Sequence, residues 1–423
     1  MLWEWNKGGA ALGGRKVHMR VVWLEIENFR SIKHLRLDGL DKPFVVIEGP
    51  NDVGKSNILR ALDLAFSALP RLLREHAGQQ QSIPGEPNGR PEWILDFSRL
   101  YRHGENEFKI SLGIRFDEHE INVQSFNPRQ SLNVTLNWTR EGHHRLAILS
   151  HQSLPADVSA GMALRLAQSF RHIATKRSPE REYLRLGGSP WEQMARWSGS
   201  NLKQLLFLYK NSPELEVQER FEQLRTAVRD PALGIGIVNV SVQPDQTINV
   251  RTRQDGLELD LEERGSGVQQ MLTMLALALC HRGRLLAIEE PEMNLSEPNQ
   301  RLLWKKLREF AGGEGPLDQI FVTSHSRVFE EEAERLVVSR DPQSGTHARW
   351  AEPAPAKVQA DEEVLTVTRG CSVTLPAEVL KHLGVQEGKH VYLVPTRHGY
   401  QLLGAQGYAD HLREEGSNAE SAG

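Results

Sequence analysis

Short apolar runs that carry no charged residue mark three places along the chain. They are Phe44 to Ile47, Leu285 to Ile288, and Ile320 to Val322. Continuous apolar runs of this kind are typical of strands that are buried on both faces of a parallel sheet. We therefore predict a central sheet that contains these three segments.

Other segments alternate between apolar and polar residues, which is the pattern of strands with one buried face. The four clearest are Phe108 to Phe116, Leu132 to Trp138, Gly236 to Val242, and Thr247 to Arg253. They predict an antiparallel sheet that flanks the central one.

Helical periodicity follows the first strand and recurs in the middle of the chain. Asn57 to Phe66 place their apolar side chains on one helical face. Val268 to Cys280 are apolar almost all round, which predicts a buried, rigid helix. The stretch of about 152–232 also reads as helices and predicts an inserted helical lobe. Its clearest stripe, more typical of a core than of a ligand site, contains Leu202, Leu205, Leu206 and Tyr209.

The segment between the first strand and its helix reads GPNDVGKS, from Gly49 to Ser56. It matches the P-loop pattern, in which backbone N–H groups and the N-terminus of the next helix hold phosphates. The alternative is a glycine-rich turn that binds no nucleotide, but the order strand, loop, helix favours the P-loop. Lys55 is placed for the β- and γ-phosphates of ATP, and the Ser56 hydroxyl for Mg²⁺. The candidate nucleotide-binding residues here are Gly49, Asn51, Gly54, Lys55, Ser56 and Asn57.

Two acids follow the second apolar run, and a histidine follows the third. Glu289 and Glu290 lie where a central strand would deliver them to its carboxyl-terminal edge. Glu289 is the candidate Mg²⁺ ligand, and Glu290 is the candidate residue that orients the attacking water. The other Glu-Glu pairs do not follow a buried strand and are typical of solvated surface. His325, in TSHS, is the candidate γ-phosphate contact, although a lone histidine is more often structural.

The predicted buried helix opens with GSGVQQ, from Gly265 to Gln270. A serine and two glycines at a helix N-terminus expose N–H donors and the positive end of the helix dipole to an anion. A capped core helix that binds no ligand is the alternative interpretation.

These motifs occur in a fixed order after LEIENFRSIKHL, from Leu24 to Leu35. Together they resemble the ABC-type ATPase heads of the SMC, RecF and OLD group, most of all the compact OLD-like heads. The resemblance covers about residues 19–340. It implies an α/β P-loop NTPase head with a mixed sheet, an antiparallel β-subdomain and a helical insertion. ATP and Mg²⁺ are the implied cofactors.

In that group, the residues that match Ser266, Gly267 and Gln269 belong to a signature motif that contacts the γ-phosphate held by the other subunit. The resemblance therefore implies a head-to-tail homodimer with two ATP molecules between its heads. Arg30 matches an arginine that lies near nucleotide or DNA. Ser296 stands where relatives often carry a histidine, and no residue is assigned to the Q-loop.

A second resemblance follows the head. Residues 351–361 include EPAPA and read as a linker. Residues 362–404 include VTRGCSVTLPAEVLKHLGVQEGKHVYLV, which resembles the swapped-hairpin AbrB/SpoVT/MazE domain of bacterial regulators and antitoxins. So small a β-rich unit cannot bury an adequate core alone, and the resemblance implies that two chains interleave. DNA binding and a pure dimer clamp both stay open for it. The polar tail, 405–423, is typical of disorder.

Composition narrows the cellular setting. The chain has 423 residues, two cysteines and a net charge of −4. Two cysteines argue against a disulfide framework, and no apolar run approaches the roughly 20 residues of a membrane span, so we expect a cytoplasmic protein. The head is predicted over 19–350. Residues 1–18 read as an extension, native or not, because Met19 is an alternative start.

The net charge gives no global footprint for nucleic acid, so any DNA contact has to come from a local patch. The densest basic run contains Arg171, Lys176, Arg177, Arg181 and Arg185, with His172 alongside. This run is either a DNA or partner contact or a solvated, salt-bridged face.

Three functions are compatible with the sequence. The first is an ATPase whose dimer state controls DNA engagement or a separate effector, a toxin or nuclease, in phage defence or DNA repair. The second is an ATP-responsive transcriptional regulator or antitoxin that acts through the C-terminal domain. The third is nuclease activity in the same chain. The resemblance disfavours it, because OLD nucleases carry a C-terminal Toprim domain with paired acids and no Asp-x-Asp follows His325 here.

Overall fold

A computed structural model describes most of the first 351 residues and one hairpin beyond them. The described residues are 19–78, 94, 96–116, 131–140, 144–148, 162, 166, 169–174, 202–280, 284–311, 315–330, 334–341, 345–351, 392–396 and 399–403. The chain divides into two units, Met1–Ala354 and Pro355–Gly423.

The described residues form sixteen strands, six α-helices and three short 3₁₀ turns. The strands are β1 (Met19–Phe29), β2 (Ile32–Asp38), β3 (Phe44–Glu48), β4 (Glu107–Phe116), β5 (Leu132–Thr139), β6 (His144–Ile148), β7 (Phe170–Ile173), β8 (Ile237–Val242), β9 (Ile248–Gln254), β10 (Leu257–Asp260), β11 (Leu285–Glu289), β12 (Gln319–Ser324), β13 (Arg335–Asp341), β14 (Gly345–Ala351), β15 (Tyr392–Thr396) and β16 (Gly399–Leu403). The α-helices are α1 (Lys55–His76), α2 (Leu202–Lys210), α3 (Leu215–Ala227), α4 (Ser266–Cys280), α5 (Glu297–Phe310) and α6 (Arg327–Glu330). Short 3₁₀ turns cover Phe97–Leu100, Pro231–Leu233 and Leu261–Glu263.

The central sheet has six strands in the order β14-β13-β3-β12-β11-β7. All neighbouring pairs are parallel except the edge pair of β13 and β14. The three predicted apolar strands, now β3, β12 and β11, lie side by side at its centre, which confirms that prediction. Because parallel strands end at the same edge, the segments after these three strands meet there.

Both faces of the central sheet are buried, which explains its uninterrupted apolar runs. Val45 and Ile47 of β3 belong to a core with α1 and the strands of the first antiparallel sheet. Val46 of the same strand belongs to a second core, with α2 to α5. β12 alternates in the same way, with Phe321 in the first core and Val322 in the second. Because both faces are covered, neither face needs polar residues, and the strands read as continuous apolar runs.

The alternating segments form strands as predicted, but in two antiparallel sheets. One sheet has the order β2-β1-β4-β5-β6, and the other β10-β9-β8. The prediction of one flanking sheet was therefore too simple. Alternation identifies the buried face of each strand but carries no information about which strands pair.

The predicted helical lobe needs one correction. Two helices, α2 and α3, lie within it, but Phe170–Ile173 forms β7, the outer strand of the central sheet beside β11. His172 of this strand is buried, so it does not belong to a solvated basic face. Tertiary pairing with β11 overrides the helical pattern around it. Lys176, Arg177, Arg181 and Arg185 of the basic run lie outside the described residues.

Two buried polar side chains fasten β1 to the start of β12. The Gln319 side chain accepts a hydrogen bond from Val21 N over 2.9 Å, and its amide nitrogen donates to the carbonyls of Val21 and Leu40. Asp318 accepts from Met19 N over 2.9 Å and from Arg284 Nη1 over 3.0 Å. These satisfied groups fix the first antiparallel sheet against the central one.

In the second unit, β15 and β16 pair as an antiparallel hairpin. The rest of the segment predicted to be AbrB-like, most of the predicted linker and the predicted tail lie outside the described residues. Among the helices that the structure describes, none combines the length and hydropathy that a membrane crossing requires.

Candidate nucleotide site

The loop between β3 and α1 has a backbone that demands glycine at both ends. Gly49 has φ 151°, and a Cβ there would lie 2.2 Å from the Val338 carbonyl oxygen. Gly54 has φ 108° and caps α1, where Asn57 N donates to its carbonyl oxygen over 3.0 Å. These conformations are accessible to glycine and strained for other residues. Asn51 is exposed in this loop, and Ser56 is half-buried in the first turn of α1.

Lys55 brings the loop and the predicted histidine together. Its ammonium donates to the carbonyls of Gly49 and Pro50, over 2.7 Å each, and lies 3.0 Å from His325 Nε2. Burial lowers the pKa of Lys55, while the charges of Glu290 and other nearby acids oppose that shift. The site thus holds a lysine cation among carbonyls and carboxylates.

Glu290 turns away from β11 in a conformation unusual for a side-chain-bearing residue. Its φ is 44°, and its N–H donates to the Thr323 carbonyl oxygen over 2.9 Å. Its carboxylate oxygen Oε1 lies 3.7 Å from His325 Nε2. A left-handed backbone costs about 1 to 3 kcal/mol and persists only when surrounding contacts impose it. Lys55, Glu290 and His325 therefore converge on one point.

Glu292 is a site residue that the sequence interpretation left without a role. Its Oε1 accepts from His325 N over 2.6 Å and from Ser324 Oγ over 2.9 Å. Its Oε2 is buried and has no hydrogen-bond partner among the described residues. The third acid of the EEPE sequence was the one available signal, since a carboxylate near the end of a strand can cap the neighbouring loop.

Hydrogen bonds connect the loop after β12, which carries His325 and is called the histidine loop below, to the turn that follows Glu292. Ser326 Oγ donates to Gln300 Oε1 over 2.5 Å, and Gln300 Nε2 donates to the Leu295 carbonyl over 2.9 Å. Beside this turn, a Cβ on Gly267 would lie 3.2 Å from the Asn294 carbonyl oxygen. The turn therefore contacts both the histidine loop and the first residues of α4.

A buried charged cluster surrounds Glu289, whose side chain is 3% exposed. His172 Nε2 lies 3.1 Å from Glu289 Oε1, and His172 Nδ1 lies 3.4 Å from Asp63 Oδ2. Arg60 Nε lies 3.5 Å from the same Glu289 oxygen. Burial disfavours the imidazolium, but the hydrogen bonds and charges of Asp63 and Glu289 outweigh it and raise the pKa of His172 to about 9.

Arg30 lies in the turn between β1 and β2, with φ 54°, and its N–H donates to the Leu100 carbonyl oxygen over 2.7 Å. Burial and the charge of Arg60 lower the pKa of Arg30, while the charge of Glu289 raises it. In the same turn, Ser31 Oγ accepts from Asn57 Nδ2 over 2.8 Å. The turn that carries Arg30 therefore contacts the first turn of α1.

The residues of the predicted signature open α4 on the surface. Gly265 and Ser266 are exposed, whereas the helix is buried from Gln270 onwards, as predicted. The Gln269 amide donates to the carbonyls of Arg264 and Glu262, over 2.8 and 3.3 Å. Gln269 thus stabilises the turn before the helix, and Ser266 is exposed at the N-terminus of the helix.

The oxygen donors near the loop fit Mg²⁺. No group of three or more His, Cys, Asp or Glu side chains arranged for a metal occurs among the described residues. Mg²⁺ commonly takes only one or two protein oxygens and completes its shell with substrate phosphates and water. The Ser56 hydroxyl, in the first turn of α1, and the Glu289 carboxylate, at the end of β11, are donors of that kind.

Comparison with known proteins decides the family. The sequence profile of the AAA ATPase domain matches residues 19–186 and 190–329. The chain belongs to this family. ATP hydrolysis is the activity of this domain, so the chain is an ATPase.

Individual relatives of this ATPase are distant. The OLD nuclease of Thermus scotoductus is 26% identical over 343 residues, which cover 74% of this chain and 61% of that protein. The ATPase thus spans less than two thirds of that relative. The SMC head domain from Thermotoga maritima has 13% identity, coverage of 79% of this chain and 99% of that chain, and a TM-score of 0.41. The recombination mediator protein RecF has 13% identity, the same coverages of 79% and 99%, and a TM-score of 0.44.

Proposed function

We propose that this ATPase binds ATP and Mg²⁺ at the loop after β3 and hydrolyses ATP between two copies of itself. The observation that carries this proposal is the convergence of Lys55, His325 and Glu290. Their side chains come from three elements that are distant in sequence, and the Lys55–His325 and Glu290–His325 distances are 3.0 and 3.7 Å.

In the proposed mechanism, backbone N–H groups of the loop and Lys55 bind the β- and γ-phosphates. The ammonium exchanges its bonds to the Gly49 and Pro50 carbonyls for bonds to phosphate oxygens. Ser56 and Glu289 would hold Mg²⁺, which neutralises charge on those oxygens when bound. These residues align the γ-phosphoryl group for attack.

Glu290 orients the attacking water and accepts its proton as the new P–O bond forms and the bond to the bridging oxygen breaks. His325 contacts the γ-phosphate, which fixes the reacting phosphorus relative to Glu290. The left-handed backbone of Glu290 supports this role, because such strain often marks functional sites.

The exposure of Ser266 at the start of α4 supports the proposed dimer. A helix N-terminus with an exposed serine and glycine is a site for an anion. A second copy placed head to tail would bring its Ser266 to the γ-phosphate, and each protomer would hold half of each site.

Two substitutions test the proposed chemistry. Glu290→Gln keeps the side-chain volume, so we expect ATP binding to persist while kcat falls about a hundredfold or more. Lys55→Ala removes the buried cation, and we expect ATP binding to be lost. Glu222→Gln, in an exposed pair with Arg225, is the control and is expected to match the wild type. Near-normal hydrolysis by Glu290→Gln would refute the role of Glu290.

For the biological role, we propose that the ATP-bound dimer controls DNA engagement or a separate toxin or nuclease, in phage defence or DNA repair and in the cytoplasm. The 26% identity to an OLD nuclease supports this class. A gel-shift experiment with Glu290→Gln, with and without ATP, tests the DNA branch. Equal DNA affinity in both conditions would argue for control of a separate effector instead.

A further inference from the structure

His172 occupies a position in the central sheet where a charged group is costly. It lies opposite Ala287 in the pairing of β7 with β11, and its side chain is 4% exposed. Burying an ion pair costs several kcal/mol per ion, and apolar residues of similar volume often replace such pairs without loss of stability. The presence of a histidine here therefore calls for an explanation beyond packing.

The neighbours of His172 connect it to the ATP site. One ring nitrogen lies 3.1 Å from Glu289 Oε1, and the other lies 3.4 Å from Asp63 Oδ2. Asp63 and Arg60 both belong to α1, the helix whose first residues are Lys55 and Ser56. The ring thus joins the end of β11 to the helix that begins at the phosphate-binding loop.

We propose that His172 is a positioning residue that holds the Glu289 carboxylate in the orientation required to bind Mg²⁺, with Asp63 fixing the orientation of the ring. This inference rests on the proposed function, because it assigns the metal to Glu289. Histidine and carboxylate partners of metal ligands commonly act this way, and their loss costs about 10- to 100-fold in metal affinity or activity.

The presence of Arg60 allows two roles of His172 to be distinguished, orientation of the Glu289 carboxylate and neutralisation of its charge. Its Nε lies 3.5 Å from the same Glu289 oxygen, so a positive neighbour remains when His172 is replaced. If charge alone mattered, Arg60 would compensate in part. If orientation matters, losing the ring that bridges Asp63 and Glu289 displaces the carboxylate even though Arg60 is present.

The test compares His172→Gln and Asp63→Asn with the wild-type ATPase. Binding of a fluorescent ATP analogue is measured across a Mg²⁺ titration and in EDTA, together with kcat and KM. We expect both variants to need about tenfold more Mg²⁺ for half-maximal binding and turnover, with unchanged analogue affinity in EDTA. His34→Gln, an exposed histidine paired with Glu25, is the control and should leave the titration unchanged.

Each result has a definite meaning. The positioning role is overturned if the Mg²⁺ midpoint is unchanged in both Asp63→Asn and His172→Gln. It is also overturned if these variants lose as much analogue binding in EDTA as they lose in Mg²⁺. Asp63→Asn keeps the side-chain volume, so it decides the matter if His172→Gln fails to fold. Absence of Mg²⁺-dependent analogue binding by the wild type would instead overturn the proposed function.

Discussion

The carboxylate of Glu292 accepts a 2.6 Å hydrogen bond from the backbone N–H of His325. The same oxygen accepts from Ser324 Oγ over 2.9 Å. A hydrogen bond to a charged acceptor contributes about 1.5 to 3 kcal/mol, enough to fix one loop conformation over its competitors. Glu292 therefore sets the position of the residue proposed to contact the γ-phosphate.

Replacing Glu292 should slow turnover more than it weakens binding. In Glu292→Ala the His325 loop loses its acceptor, and a misplacement of about 1 Å near the reacting atoms can cost on the order of a hundredfold. We expect kcat to fall about 10- to 100-fold with KM changed far less. Steady-state kinetics on Glu292→Ala and on the control Glu222→Gln measure this. A rise in KM at constant kcat would contradict it.

Gly49 should tolerate no side chain. Gly49→Ala would place its Cβ 2.2 Å from the Val338 carbonyl oxygen, so the loop must shift. We expect the free energy of unfolding to fall by about 2 kcal/mol or more and ATP affinity to be lost. Gly78→Ala is the control, because Gly78 also has a positive φ, 71°, but an added Cβ there would have no neighbour within 4 Å.

Chemical denaturation and nucleotide binding separate the two contributions at Gly49. Gly78→Ala should lose about 1 kcal/mol from backbone strain alone and keep its ATP affinity. Equal destabilisation by the two substitutions would show that the Val338 contact adds nothing.

A mixing experiment tests whether Ser266 acts in the other protomer. Lys55→Ala and Ser266→Arg should each be inactive alone, because each destroys one half of both sites. In a mixed head-to-tail dimer, one site combines an intact loop with an intact signature. Random association of equal amounts should therefore restore activity, up to about a quarter of the wild-type level if one intact site works at its full rate beside an inactive one. No recovery, with dimers present by size-exclusion chromatography, would place Ser266 in its own protomer's site.

Cys280 should be inert in the folded protein. Burial raises the pKa of its thiol to about 12, so the reactive thiolate is scarce at neutral or mildly alkaline pH. In a Cys371→Ser background, we expect no reaction with a thiol reagent at pH 8 until denaturant is added. Rapid labelling of the native protein would contradict the burial of α4.

Local patterns predicted the parts of the site that depend on local chemistry. The loop from Gly49 to Ser56 could be recognised because one segment supplies its glycines, its lysine and its helix. The strands before Glu289 and His325 could be recognised because both faces are covered, which leaves an apolar run. Their membership of one central sheet followed from the same reasoning.

Residues that depend on distant partners could not be found in this way. His172 is surrounded by basic residues in the sequence, and nothing local indicates that Asp63 and Glu289 neutralise it. β7 was missed because four residues with a central Arg-His pair do not resemble a buried strand. The role of Glu292 depends on the path of the loop after β12, which has no short-range signal.

The link from Ser326 through Gln300 to Leu295 has a mechanical consequence. The loop that would contact one nucleotide is tied to the turn packed against Gly267, next to the surface that would face the other nucleotide. Movement at the first would strain the second. Hydrolysis at the two nucleotide sites would then be coordinated rather than independent. Removing the hydrogen bonds of the Gln300 side chain would uncouple the two events.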